Sequence, residues 1–253
     1  MSISGEKDAL RAQLRARLSQ SDPAENAACD VRITLQVLSL PAFQAAERIF
    51  AYCSVVPEVD THAILAQARR CGKTVALPVT QPDGQMRFAR YDGALVPGRF
   101  GIPEPPRSAR ALLPQPGDLM LVPALACDRA GRRLGRGGGH YDRFLARVDC
   151  CTVGLIRAAF LLDALPAEWN DVPVSAVITE DGVLRPQENR GSRRSPDRCQ
   201  AVSRPQPQPL LLLLSQPQLP QPPQQKSRIR MRMIQRQLLL FPQHITKTLS
   251  PRN

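Results

Sequence analysis

Aromatic side chains make up only 4% of this 253-residue chain, which has a single Trp and three His. A core with so few rings has to be aliphatic, and the 43% of hydrophobic residues suffices for a sizeable one. The seven Cys include no CxxC pair, Cys150 and Cys151 are adjacent and poorly placed to bridge each other, and His62, His140 and His244 lie far apart. This argues against a structural zinc and a disulfide framework. It points instead to a reduced, cytoplasmic protein whose thiols act as small hydrophobes. No run approaches the roughly 20 apolar residues of a membrane span. Charges also interrupt the first residues, MSISGEKDALRAQL, where a signal peptide needs an apolar stretch.

Acids are scarce in one region. From Arg185 onward, 13 Lys/Arg face two acids, a net +11, leaving residues 1–184 at +1 of the overall +12. The basic balance is therefore no argument for nucleic-acid binding by the first part. Residues 185–253 also hold 11 of the 25 Pro and one of the 15 Gly, around the low-complexity run PQPQPLLLLLSQPQLPQPPQQ. We expect a disordered, basic, Pro/Gln/Leu-rich tail here. Residues 1–184 are expected to form one monomeric domain with neither nucleic-acid nor membrane partners.

Within 1–184 the elements alternate. Leu10, Leu14 and Leu18 recur every fourth position in an amphipathic helix over 7–18, and Asp22-Pro23-Ala24-Glu25 starts a second helix running to about Val37. Residues 48–55 form a buried strand, Asp60 or Thr61 caps a helix that ends at Gly72, and residues 73–77 form the next strand: a βαβ unit. Residues 85–91 alternate as an edge strand, 97–117 form a long irregular segment crowded with Pro and Gly, and 118–122, 152–156 and 174–178 are further strands. This pattern predicts an α/β fold, a three-layer α/β/α open sheet with helices on both faces.

The most informative stretch is Arg132-Arg-Leu-Gly-Arg-Gly-Gly-Gly-His-Tyr-Asp142. Gly135, Gly137, Gly138 and Gly139 leave backbone N–H groups unshielded, and a helix expected over 141–148 adds its positive end. Together they make an anion site sized for phosphate, with Arg133 and Arg136 as charge-assisted partners and Asp142 placed to hold a divalent metal. The pattern is neither GxxxxGK[ST] nor a clean GxGxxG fingerprint.

Residues 123–145, PALACDRAGRRLGRGGGHYDRFL, closely resemble the signature of the 5-formyltetrahydrofolate cyclo-ligase family. Lys7-Asp-Ala-Leu-Arg11, Tyr52-Cys-Ser-Val-Val-Pro-Glu-Val-Asp-Thr61, Phe100-Gly-Ile-Pro-Glu-Pro105 and Asn170-Asp171 with Ile178-Thr-Glu180 match its other motifs in order. The resemblance implies an ATP- and Mg2+-dependent ligase acting on 5-formyltetrahydrofolate. It places Lys7, Asp8, Ala9, Leu10 and Arg11 on ATP, together with Arg133, Leu134, Gly135, Arg136, Gly137, Gly138, Gly139, His140 and Tyr141. Cys53 and Glu58 would line the folate pocket, and Arg136 to His140 would touch both ligands. Asp142 and Asp171 would hold Mg2+, and Arg136 and Asp142 would be catalytic. His140 stands where the family often has Tyr or Phe.

Each of these residues also has a plain reading. Lys7 and Arg11 alone make a solvated helix face, Glu58 a cap, Asp171 a turn residue, and Asp142 a complement to a helix dipole. Asp128, Asp149 and Asp163 read as surface or turn residues, and Trp169, the single Trp, reads as core packing ahead of a ligand contact. Two other functions fit parts of the pattern. One is an enzyme gripping a sugar phosphate or acyl substrate with the glycine loop. The other is a protein that binds nucleic acid or an acidic surface through its tail.

Overall fold

The computed structural model describes residues 2–186, so the disorder expected of the tail falls outside the described residues. Helix α1 (Ile3–Ser19) is capped by Ser2, whose side chain accepts the Gly5 N–H. Helix α2 (Pro23–Ser39) starts as expected: Asp22 accepts the Ala24 N–H at 2.9 Å, with Pro in the first turn. A short helix α3 (Pro41–Ala45) precedes β1 (Arg48–Phe50), and α4 (His62–Arg70) leads to β2 (Thr74–Thr80). The expected strand over 48–55 is only three residues long, because the chain turns away after Phe50 toward the cavity described below.

The strands β3 (Met86–Arg90), β4 (Val96–Pro97), β5 (Pro103–Glu104) and β6 (Ala111–Leu112) follow. β3 is not an edge, since β6 pairs with it at Phe88↔Leu112. The segment expected to be irregular thus contributes three short strands. Then come β7 (Leu119–Pro123), β8 (Ala126–Asp128), β9 (Arg133–Leu134), α5 (His140–Leu145), β10 (Cys151–Leu155), β11 (Leu161–Leu162), β12 (Ala176–Thr179) and β13 (Gly182–Leu184).

Eight strands form the main sheet in the order β13-β12-β10-β7-β1-β2-β3-β6. The five from β12 to β2 are parallel, and β13, β3 and β6 add antiparallel margins. Both faces are covered, which explains why the central strands read as unbroken apolar runs. Leu119 and Leu121 pack toward Ile33, Val37, Phe43 and Ile64 of α2, α3 and α4. Met120 and Val122, one residue out of phase, pack with Phe50, Phe88 and the α5 residues Phe144 and Leu145. The expected three-layer α/β/α architecture is present.

A smaller sheet, β11-β8-β9, forms a second platform. Leu14 and Leu18 of α1 pack on it with Ala126, Leu134, Phe160 and Leu165. This apolar contact lays α1 alongside the chain that becomes the glycine loop. Asp128, expected at the surface or in a turn, is instead the buried last residue of β8, and its side-chain oxygens accept the N–H groups of Ala130, Arg132 and Leu165. Cys29, Cys53, Cys71 and Cys127 are free thiols as expected.

A buried ion pair ties helix α2 to the segment after β10. Arg157, buried after β10, donates from Nε and Nη2 to both oxygens of Asp30 on α2 at 2.9 and 2.8 Å, and also to the carbonyls of Pro57 and Glu58. Removing one partner of such a pair leaves a buried charge uncompensated, so Asp30→Ala should destabilise the fold by about 3–5 kcal/mol. Urea unfolding of the variant beside the wild type measures this, and a loss under about 1 kcal/mol would show that water screens the pair.

Candidate active site

Chain order reverses between β1 and β7: from β1 the sheet grows one way to β2, and from β7 the other way to β10 and β12. In open parallel sheets the crevice beyond the strand C-termini at such a switch point is where ligands bind. Here the residues leaving β1 (Tyr52, Cys53), β2 (Thr80) and β7 (Ala124) line a cavity of about 1830 Å3. That exceeds the several hundred Å3 of a single small-ligand pocket and leaves room for two.

The glycine loop forms one wall. Gly137 (φ +107°) and Gly139 (φ +62°) are in the left-handed region, and a Cβ on Gly139 would come within 2.8 Å of Arg143 Nη1. Helix α1 anchors the loop's carbonyls: Arg11 Nε donates to Gly135 O at 3.0 Å and Arg15 Nη2 to Arg136 O at 3.1 Å. Among the described residues no protein acceptor takes the N–H groups of Gly137, Gly138 and Gly139. The following helix is shorter than expected, six residues ending at Leu145. An anion beside this loop would therefore meet bare amides and guanidinium groups rather than a helix dipole.

Three ion-paired groups stand beside the loop. Asp142 Oδ1 accepts Arg133 Nη2 at 2.9 Å and the Val172 N–H at 3.3 Å. Lys7 Nζ, nearly buried, lies 2.7–2.8 Å from both Asp171 oxygens and 2.8 Å from Glu168 Oε2. Burial works against the Lys7 charge, but the hydrogen bonds and charges of Asp171 and Glu168 outweigh it and raise its pKa. Among the described residues no three His, Cys, Asp or Glu converge as a ready cation cage. Nevertheless Asp171 and Glu168 already enclose a cation with hard oxygens, the donor set Mg2+ takes when water and phosphate complete its sphere.

The third group surrounds Glu58. Its Oε2 accepts the Val55 N–H at 3.0 Å, and its Oε1 meets Arg136 Nη2 at 2.9 Å. Burial raises its pKa, opposed by that N–H and by Arg136. Tyr141 Oη is buried without a hydrogen-bond partner, as is Arg133 Nε, and both residues line the cavity. Desolvation pushes the Tyr141 phenol well up, and burial with Asp60 and Glu58 raises the Cys53 thiol, so both stay neutral. Buried polar atoms left unpaired beside an open cavity mark where a ligand supplies the missing partner.

Of the expected residues, Lys7, Arg11, Cys53, Glu58, the whole run Arg133–Asp142 and Asp171 line this one cavity. Asp8, Ala9 and Leu10 do not: Asp8 and Ala9 are exposed on α1, and Leu10 packs against the small sheet's cluster. Trp169, expected in the core, is instead 98% exposed at the cavity wall. Sequence reasoning missed Glu168 and Arg15. The signals were there, since Glu168 lies three residues before Asp171 and Arg15 one turn beyond Arg11 on the face of Lys7.

Residues 3–180 match the 5-formyltetrahydrofolate cyclo-ligase family. This chain belongs to that family. It is 32% identical over 178 residues to the 5-formyltetrahydrofolate cyclo-ligase of Escherichia coli K12, covering 67% of this chain and 98% of that one. It is 39% identical over 140 residues to the Mycolicibacterium smegmatis cyclo-ligase, covering 52% and 72%. Its structure is similar to the 5,10-methenyltetrahydrofolate synthetase of Aquifex aeolicus, with a TM-score of 0.65, 30% identity and coverage of 74% and 96%. The cyclo-ligase family's α/β architecture is thus shared by the present chain.

The raised pKa of Glu58 gives a signed prediction. The folded state holds the Glu58 proton more tightly than the unfolded chain, whose carboxyl titrates near 4.5. The stabilisation this brings is fully present below that value and is lost as pH rises through the folded value. Glu58→Gln, which cannot ionise, should therefore compare better with wild type at pH 7 than at pH 4 when melting temperatures are measured at both. A difference that is flat, or that favours wild type more at pH 7, would show that Arg136 dominates over burial.

Proposed function

We propose that this chain closes the ring of 5-formyltetrahydrofolate, giving 5,10-methenyltetrahydrofolate, ADP and phosphate from ATP. The observation carrying this reading is that one cavity, large enough for two ligands, joins a loop of unclaimed amides to a recess with an orphaned tyrosine hydroxyl and a buried carboxyl. The reaction needs both. A formyl oxygen is a poor leaving group until it takes the γ-phosphoryl of ATP. N10 of the same folate then attacks the formyl carbon, the C–O bond breaks with its electron pair leaving as phosphate, and N10 gives up its proton.

The protein's part is positioning and charge neutralisation. Gly137, Gly138 and Gly139 offer N–H groups to the phosphates, Arg133 and Arg136 offer guanidinium groups, and Lys7 and Arg11 approach from α1. Leu134 and Gly135 shape the loop, and His140 and Tyr141 close it. Asp8, Ala9 and Leu10, placed on ATP by the resemblance, carry the α1 backbone between these two cations. Glu58 and Cys53 would face the pterin, with Glu58 as its hydrogen-bond partner. Arg136 links the two ligands because it already spans from the loop to Glu58. Asp142 and Asp171, with Glu168, would hold Mg2+, which supplies a counter-charge for the phosphates when bound.

The direct test is turnover with Mg·ATP and 5-formyltetrahydrofolate, followed by the ultraviolet absorbance of the methenyl product. Signal should need both substrates together. Asp142→Ala should lower kcat about 100-fold, the scale of losing one electrostatic contact to developing charge, with circular dichroism confirming the fold. A folded wild type that is silent with both substrates present would overturn the reading.

A further inference from the structure

We propose that Trp169 is the platform on which the nucleobase of the bound nucleotide stacks. The inference rests on the reading that the glycine loop takes a nucleoside triphosphate, and it assigns the part of that ligand the loop does not reach.

An indole is a large apolar surface that proteins ordinarily bury. Trp169 is the chain's single Trp, and it is 98% exposed. The turn that carries it is well tied. The Glu168 N–H donates to Asp171 Oδ2 at 2.7 Å, the Asp171 N–H to Glu168 O at 3.1 Å, and the Val172 N–H to Asp142 Oδ1 at 3.3 Å. Lys7 grips the carboxylates on both sides of the Trp. A ring fully exposed on a fixed stalk, at the wall of a cavity, is surface prepared for a planar partner.

Charge and connectivity select the partner. The turn's contacts are Lys7 and Asp142, which stand beside the glycine loop, so Trp169 belongs to the phosphate side. Glu58, expected to meet the pterin, contacts Val55 and Arg136 and shares no partner with this turn. The planar group tethered to the phosphates is the nucleobase. Stacking on an aromatic ring is tolerant of base identity, so Trp169 contributes affinity more than selectivity among purines.

The single Trp makes the test direct, because every change in indole emission comes from this residue. The full chain is titrated separately with ATP, inorganic tripolyphosphate and 5-formyltetrahydrofolate while calorimetry follows binding. ATP should quench and blue-shift the emission with the midpoint that calorimetry gives, whereas tripolyphosphate should bind with little spectral change. Trp169→Ala should raise KM for ATP about tenfold, within the range of aromatic–base stacking, while kcat changes far less. Trp169→Phe should restore most of the loss, and since the side chain is exposed neither substitution threatens the fold. ATP binding without a change in emission would overturn the inference while leaving the cyclo-ligase reading intact. A shift caused by the folate alone would reassign the ring to that ligand. No ATP binding by calorimetry would remove both the inference and the reading beneath it.

Discussion

The grip of Glu168 and Asp171 on the Lys7 ammonium is the contact on which the rest of the site depends. It spans more than 160 positions of sequence, from the first turns of α1 to the turn before β12. Apolar packing of Leu14 and Leu18 lays α1 on the small sheet, but such packing is non-directional and leaves the helix free to slide. The ion pair fixes its register. Arg11 and Arg15, one and two turns on, then reach the carbonyls of Gly135 and Arg136 and hold the glycine loop with its amides unclaimed. An anion site made of backbone depends on such outside support, since glycines supply freedom and no stiffness of their own.

Each carboxylate of the candidate site is already matched to a cation: Asp142 to Arg133, Asp171 and Glu168 together to Lys7, and Glu58 to Arg136. The cavity is thus close to internally neutral although it is built of charges, which lowers the cost of holding them out of water. It also means that ligands exchange partners rather than find vacant charges. A triphosphate bound here would compete with carboxylates for the guanidinium and ammonium groups, and a divalent cation would compensate the carboxylates so released. Nucleotide and metal would then be coupled, each making room for the other, as linkage requires of two ligands that share a set of counter-charges.

The layered sheet was legible because its central parallel strands are buried on both faces and announce themselves as short apolar runs. The glycine loop was legible because four glycines among arginines have few structural explanations. What could not be read was set by contacts between distant segments. β3 gains a neighbour only because Leu112 returns to it from more than 20 residues away. Asp8, Ala9 and Leu10 share a motif with Lys7 and Arg11, yet 100° per residue turns their side chains away from the cavity. Trp169 lies outside the core because its turn is tied to Lys7 and Asp142 at the cavity wall, contacts made with segments far away in sequence.

The placement at the switch point explains how one fold serves two substrates. Loops leaving the parallel strands β1 and β7 diverge because the chain goes on from β1 to β2 on one side and from β7 to β10 on the other, so the crevice between them is wide without any strand being bent. The loop after β1 carries Glu58, braced from behind by Arg157 through the carbonyls of Pro57 and Glu58. The chain after β7 doubles through the β8–β9 hairpin, braced by the buried Asp128, and emerges as the glycine loop. Each wall is thus stiffened by its own buried charged residue, and Arg136 reaches across from one wall to Glu58 on the other. An enzyme that must bring a phosphoryl group to a formyl oxygen needs two rigid cradles with a single bridge between them. A guanidinium is suited to that bridge because its fork can leave a carboxylate for a phosphate without changing charge.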